Sequence, residues 1–337
     1  MTSRLRLLFA SAVVGASVLA GCGEKEESIR GGETEQLELI LDFFVNPDHA
    51  GIYAALENGH FEQAGLEVTP RVPSDPAAPI KLVASGQADL AVSYEPEVLL
   101  ARDQGLPVVA VATIVPEPLT SLISLPDAGI ADPSDLRGKT VATAGIPYQD
   151  AFMARILRDA RISENEVDQV SVGLGLEQAV LSGKADAMLG GFKNVEGVSL
   201  EERGENPRVV PVDELGIPTY DELVLVASSE QVEEDPEAIR LFIAALQRGT
   251  EDAVADPDAA TDAILKAGDG LDPKLTAAEI EATLPLLLPR GKEPYGYMDE
   301  AEWDEFAGFL ADEGFIKARP APGDGFTNEL LPRETPQ

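Results

Sequence analysis

The chain has 337 residues, 44% of them hydrophobic, enough for one large domain or two of ordinary size. It carries 60 Asp and Glu against 25 Lys and Arg, a formal net charge of −35 that argues against nucleic acid or anionic lipid as a partner and suits solubility at high salt. One cysteine and two histidines exclude an intramolecular disulfide, a Cys-rich zinc site and a multi-histidine metal site.

Arg4 and Arg6 form a short basic head, and residues 7–19 are small or apolar without charge. That is the pattern of a secretory signal, and the run is shorter than the roughly 20 residues of a membrane span. It ends in Leu19-Ala20-Gly21-Cys22, which places the lone cysteine where bacterial lipoproteins carry their lipidated one. The stretch resembles a lipobox, so residues 1–21 are expected to be a signal peptide and Cys22 the lipid anchor. Residues 22–36, rich in Glu, Ser and Gly, read as a flexible tether.

From Leu37 the pattern turns apolar. Leu37–Leu41 reads as a strand, and Asn46-Pro47 as an N-cap with Pro at the first helical position, the helix running to Asn58 and stopped by Gly59. A strand at Leu66–Val68, a helix at Pro79–Ser85 ended by Gly86, and a strand at Asp89–Val92 follow. The order then repeats: strand Lys139–Ala142, helix Gln149–Ala160, strand Val170–Val172, helix Leu176–Leu181, strand Asp186–Leu189. Ser85-Gly86-Gln87-Ala88-Asp89 and Ser182-Gly183-Lys184-Ala185-Asp186 stand at matching places in the two copies, each a glycine-capped helix end leading into a buried strand. Short apolar strands alternating with helices indicate mostly parallel α/β sheets, so two similar lobes are expected. Ser121–Leu125 and Asp221–Ala227 are extended and apolar, candidates for two hinge strands between them. Helices at Pro236–Val254, Pro257–Ala267, Thr276–Leu287 and Asp299–Glu313 precede a Pro- and Gly-rich end from Ala318. The domain reading is a discontinuous lobe one over 37–120 and 225–330, lobe two with the hinge strands over 121–224, and a tail over 331–337. Two lobes on two hinge strands make a cleft that can close on a small molecule.

Four stretches are distinctive: Leu41 to Tyr53 (LDFFVNPDHAGIY), Ser93-Tyr94-Glu95-Pro96-Glu97, Asn194-Val195-Glu196-Gly197, and Gly216 to Glu222 (GIPTYDE). With them the chain, from about Leu37 to Glu313, resembles the family that joins fungal thiamine-pyrimidine synthases to bacterial ABC-importer binding proteins. It is most similar there to lipoproteins that bind formyl-aminomethyl or hydroxymethyl aminopyrimidines. The resemblance implies a two-lobe type II periplasmic-binding fold, an aminopyrimidine ligand, permease and ATPase partners, no cofactor, a monomer, and export to the outer face of the membrane. The synthases carry a lysine and a histidine where Ser93 and Glu97 stand here, and a cysteine-rich run where Pro218–Glu222 has none. The resemblance therefore implies a binding protein rather than an enzyme. A riboflavin or sulfonate ligand is the rival reading; a sulfonate calls for an arginine, and the four stretches contain none.

A flat, nitrogen-rich ligand needs aromatic faces and a carboxylate or amide for its amino group and ring nitrogen. Phe43, Tyr94, Tyr148, Phe192 and Tyr220 fall at strand ends, where open α/β sheets hold ligands. Asp42, His49, Ser93 and Asn194 complete the candidate set with Glu196, the carboxylate that the resemblance places in recognition. Asp42 and His49 serve equally well as local hydrogen-bonding residues, and Glu196 as a helix-start acid favoured by the dipole. Asp221 and Glu222 read as hinge residues and Trp303 as packing.

Overall fold

The computed structural model describes residues 34–332. Arg4, Arg6, Cys22 and the tether through residue 33 lie outside them. In chain order the elements are β1 (Glu35–Ile40), α1 (Ala50–Glu57), α2 (His60–Gln63), β2 (Leu66–Arg71), α3 (Pro79–Ala84), β3 (Leu90–Ser93), α4 (Glu95–Asp103), β4 (Val108–Val115), β5 (Thr120–Ser124), β6 (Thr140–Thr143), α5 (Tyr148–Asp159), β7 (Asp168–Ser171), α6 (Leu176–Leu181), β8 (Ala187–Phe192), α7 (Glu196–Glu202), β9 (Arg208–Pro211), β10 (Leu223–Ser228), α8 (Ser229–Glu234), α9 (Pro236–Ala255), α10 (Pro257–Ala267), α11 (Pro273–Thr283) and α12 (Glu300–Asp312). Glu35 and Gln36, assigned to the tether on composition, are already the first residues of β1 and pair with Leu66 and Glu67.

The strands form two five-stranded mixed sheets, ordered β2-β1-β3-β10-β4 and β7-β6-β8-β5-β9. In the first, β1 runs parallel to β2 and β3 while β10 is antiparallel to β3 and β4. In the second, β6 runs parallel to β7 and β8 while β5 is antiparallel to β8 and β9. Each sheet thus receives one antiparallel strand from the chain just as it arrives from the other lobe. The expected hinge strands are these strands, β5 and β10, and belong to their sheets. The crossing peptides are the short segments 116–119 and 216–222 between them.

The repeated Ser-Gly-x-Ala-Asp signature has a physical role in both lobes. Gly86 (φ +68°) and Gly183 (φ +69°) turn the chain out of α3 and α6 through the left-handed region. The aspartate that follows clips onto the neighbouring strand. Asp89 accepts from the Glu38 N–H (2.7 Å) and donates its own N–H to Glu38 O (3.1 Å). Asp186 does the same with Thr140, at 2.8 and 2.8 Å.

In lobe one, α1 crosses α9 without room for side chains. A Cβ on Gly51 would lie 2.2 Å from Thr250 Oγ1, and one on Gly249 would lie 2.2 Å from Gly51 O. The helix expected over Thr276–Leu287 begins earlier, capped by Asp272 with Pro273 in its first turn, and ends at Thr283. Pro285 has no N–H to continue it, and 284–287 tighten into a 3-10 turn. The Pro- and Gly-rich end packs against lobe one. Ala110 of β4 donates to Gly325 O (3.0 Å) and accepts from Thr327 N–H (2.9 Å), and Leu330 and Leu331 are buried.

Candidate functional site

A cleft of about 320 Å³ opens between the two sheets. The chain at the ends of five of the parallel strands contributes to it: Asp42 and Phe43 after β1, Tyr94 after β3, Ala144 and Ile146 after β6, Gly175 after β7, and Phe192 and Glu196 around the end of β8. Ligands of open α/β sheets sit at this edge. Thr276 and Glu279 of α11 close one side, and Glu177 of α6, Ser199 of α7 and Arg203 just past the end of α7 another.

Asp42 is fully buried and held from two directions. Tyr94 OH donates to its Oδ2 (2.9 Å), and His49 Nε2 lies 2.8 Å from its Oδ1. The tautomer of His49 follows from its other nitrogen. Asn46 N–H donates to Nδ1 (3.3 Å), so Nδ1 presents a lone pair and Nε2–H donates to Asp42. Asn46 organises the same turn, its side chain accepting from Asp48 N–H (2.8 Å) ahead of a 3-10 turn over Pro47–His49. The Asn-Pro signal therefore caps a short 3-10 turn that runs into α1.

Glu196 is the first residue of α7, and its Oε2 accepts from Phe192 N–H (2.7 Å). Desolvation pushes its carboxyl up to about 7, against the lowering pull of that bond. Burial and the neighbouring carboxylates Glu196, Glu177 and Asp48 push Glu279, across the cleft, up to about 8. Five carboxylates line the cleft (Asp42, Glu177, Glu196, Asp272, Glu279) against one guanidinium, Arg203. The Arg203 Nε lies 3.0 Å from Glu177 Oε1, and Ser199 Oγ donates to Glu177 Oε2 (3.0 Å). An arginine thus lines the cleft, outside the four distinctive stretches, and is already engaged by a carboxylate.

Of the residues proposed from sequence, Asp42, Phe43, Tyr94, Tyr148, Phe192 and Glu196 line the cleft. His49 stands behind Asp42 as its support. Ser93 is buried at the end of β3, paired in register with Val224. Tyr220 is withdrawn into an aromatic chain running Tyr94–Tyr148–Phe152–Tyr220–Phe306, with successive centroids 5.3, 5.0, 5.5 and 4.9 Å apart. Asn194 bonds across the lobes, its Nδ2 donating to Asp48 Oδ1 and Thr283 Oγ1, both at 2.8 Å. Gly190 (φ +111°) lines the cleft, but its missing side chain also makes room for Gln149, whose Nε2 would lie 2.1 Å from a Cβ. Sequence reasoning missed Glu177, Arg203, Thr276 and Glu279; Gly175, ahead of α6, was the one local cue that the chain there approaches the cleft.

The crossing peptides are tied to each other. Glu222 Oε2 accepts from Leu119 N–H, Thr120 N–H and Tyr220 OH at 2.7, 2.7 and 2.8 Å, and its Oε1 accepts from Thr120 Oγ1 at 2.8 Å. Burial raises its carboxyl, and these donors oppose the rise. Asp221 accepts from Trp303 Nε1–H (2.7 Å), so the single tryptophan, expected only to pack, also fixes a crossing peptide. Burial pushes Asp221 up to about 7.

Two helix-flanked mixed sheets facing across a cleft define a two-lobe α/β fold of the periplasmic-binding-protein kind. Its likeness to the alkanesulfonate-binding protein SsuA of Xanthomonas axonopodis pv. citri bears this out, with a TM-score of 0.69 over 88% of this chain and 99% of the other at 16% identity. Residues 46–260 match the family model described as NMT1/THI5 like, and the chain belongs to that family. It is 34% identical to the formylaminopyrimidine-binding protein of Halalkalibacterium halodurans, over 87% of this chain and 90% of that one. To a putative thiamine biosynthesis protein of Haemophilus influenzae it is 33% identical, over 84% and 88%. The chain is a solute-binding member of the family rather than an enzyme of it.

Proposed function

We propose that this protein is an exported lipoprotein that captures a thiamine-precursor aminopyrimidine between its lobes and delivers it to an ABC importer. The observation that carries the ligand reading is the cleft's lining. Phe43 and Phe192, backed by the buried Tyr94 and Tyr148, line the cleft for a flat heterocycle, and five carboxylates line it against one already paired guanidinium. Carboxylates accept from an exocyclic amine and from a protonated ring nitrogen, and they repel a sulfonate. The 34% identity to a formylaminopyrimidine-binding protein points the same way. Glu196 is the acceptor for the ligand's amino group, with Asp42 beside it. Lipid attachment at Cys22 rests on the sequence alone, as does the monomeric state. No helix among the described residues is long and apolar enough to cross a membrane.

Titration calorimetry with formyl-aminomethyl and hydroxymethyl aminopyrimidines, alongside riboflavin and taurine, tests the ligand. Binding of a pyrimidine and indifference to taurine is the expected result; binding of riboflavin or taurine in its place overturns the assignment. Membrane fractionation of Cys22→Ser tests the anchor. The variant should appear in the soluble fraction, and retention in the membrane refutes the lipobox reading.

A further inference from the structure

Asn194 reaches from lobe two into lobe one, where Asp48 and Thr283 receive it; the three are 3%, 1% and 0% exposed. The amide Nδ2 uses both of its hydrogens, one on Asp48 Oδ1 and one on Thr283 Oγ1. Two oxygens of the same contact are buried and without a partner: Asn194 Oδ1 and Asp48 Oδ2. Leaving two buried acceptors unmade is costly, and here they belong to residues already joined by one bond. An ionised aspartate can only accept, so it can satisfy neither. A neutral carboxylic acid can donate. Asp48 Oδ2–H to Asn194 Oδ1, with Asn194 Nδ2–H to Asp48 Oδ1, is the paired two-bond arrangement of an acid with a primary amide.

We propose that a protonated Asp48, paired with Asn194 at the buried contact between the lobes, latches the two lobes together, so that closing takes up a proton and opening releases one. The surroundings favour the neutral acid. Asp42 after β1, Glu196 of α7, Glu222 of the crossing peptide and Glu279 of α11 are its acidic neighbours, and each of them that ionises disfavours a charge on Asp48. Burial is the largest influence, and together they hold Asp48 well above the usual carboxylate range. His49, its chain neighbour, is turned onto Asp42. On α1 and α10, which also pack on this turn, Glu57 and Lys266 are exposed and paired with each other, and Asp258 and Asp262 are exposed. The latch does not depend on which ligand the cleft takes.

The test therefore uses ligand-free protein. Small-angle scattering across a pH series running upward from about pH 5.5 to the alkaline limit of the folded protein reads lobe closure, with circular dichroism confirming the fold at each pH. Asp48→Asn reproduces the neutral acid in shape and in both hydrogen bonds; Asn194→Ala removes the latch; Thr283→Val removes only the outer bond. Wild type and Thr283→Val should be compact at the low end of the series and expand as pH rises. Asp48→Asn should stay compact throughout, and Asn194→Ala should be expanded throughout. Expansion of Asp48→Asn parallel to wild type, no expansion of wild type anywhere in the series, or a compact Asn194→Ala at its low end each overturns the proposal. Should Asp48→Asn fail to fold, the Asn194→Ala comparison decides alone.

Discussion

At the scale of single residues, Glu196 carries the sharpest expectation. A charge-assisted hydrogen bond in a closed cleft contributes about 1.5–3 kcal/mol. Glu196→Gln should therefore weaken pyrimidine binding by roughly tenfold to a hundredfold while leaving the melting temperature nearly unchanged. Its carboxyl sits up at about 7, so affinity of the wild type should fall as pH drops below that value and the acceptor becomes neutral. Calorimetry across pH checks both; equal affinity in the variant moves the role to Asp42. Cleft residues that follow a strand could be read from sequence, because strand ends converge on the cleft whatever the helices do. Asp42, Tyr94 and Glu196 are of this kind. Glu177, Arg203 and Glu279 come from helix flanks, and whether a flank faces the cleft is decided only when the lobes dock. The same limit explains Asn194 and Tyr220, which stand next to cleft residues in sequence but are turned to the opposite lobe and to the aromatic chain.

At the scale of elements, the crossing of α1 and α9 makes a plain prediction. Gly51→Ala or Gly249→Ala forces a methyl group into backbone or Thr250, and overpacking of this kind costs about 1–3 kcal/mol or more. A lower denaturation midpoint is expected for each, and an unchanged one would mean that the helices separate freely. The crossing peptides make another. Glu222→Ala strips the acceptor from two backbone N–H groups and a tyrosine hydroxyl in a buried place. Each buried donor left unmade costs about 1–3 kcal/mol, so chemical denaturation should show one of the larger losses of any single substitution here; a loss under about 1 kcal/mol would show that water replaces the clamp. Element boundaries were legible where chemistry punctuates them, as at Gly59, Gly86 and Gly183. β4 escaped notice because all but one of its residues are buried, and a continuous apolar run has no period to separate strand from buried helix. β9 is four residues, half-exposed, and ends in proline, too little pattern to register.

For the whole molecule, the buried carboxyls set the response to pH. Glu97 and Glu196 are pushed up to about 7, Asp221 to about 7 and Glu279 to about 8, all chiefly by burial. Between the ordinary carboxylate range and about pH 8, the folded chain holds protons that the unfolded chain has released. Their stabilising effect is complete at the acid end and lost as pH rises through the folded values, so the melting temperature should fall from about pH 5.5 to about pH 8. Repulsion within a net charge of −35 acts in the same direction. In about 1 M salt the surface part is screened, and the slope that survives belongs to the buried groups. A flat profile at high salt would show that these carboxyls ionise freely in the folded chain.

The packing of the C-terminal segment on β4 has a consequence for how the protein behaves when cut. β4 is the outer strand of its sheet, and Gly325 and Thr327, with Gly296 accepting from Thr113 N–H, occupy its free side. A chain ending near Ala318 would present that row of N–H and C=O groups to solvent, beside the apolar surface vacated by Phe326, Leu330 and Leu331. Bare strand edges of this sort recruit one another. Proteolytic trimming or early termination should therefore make this highly charged protein self-associate through its sheets, visible in light scattering as a larger mean size than that of the untrimmed chain.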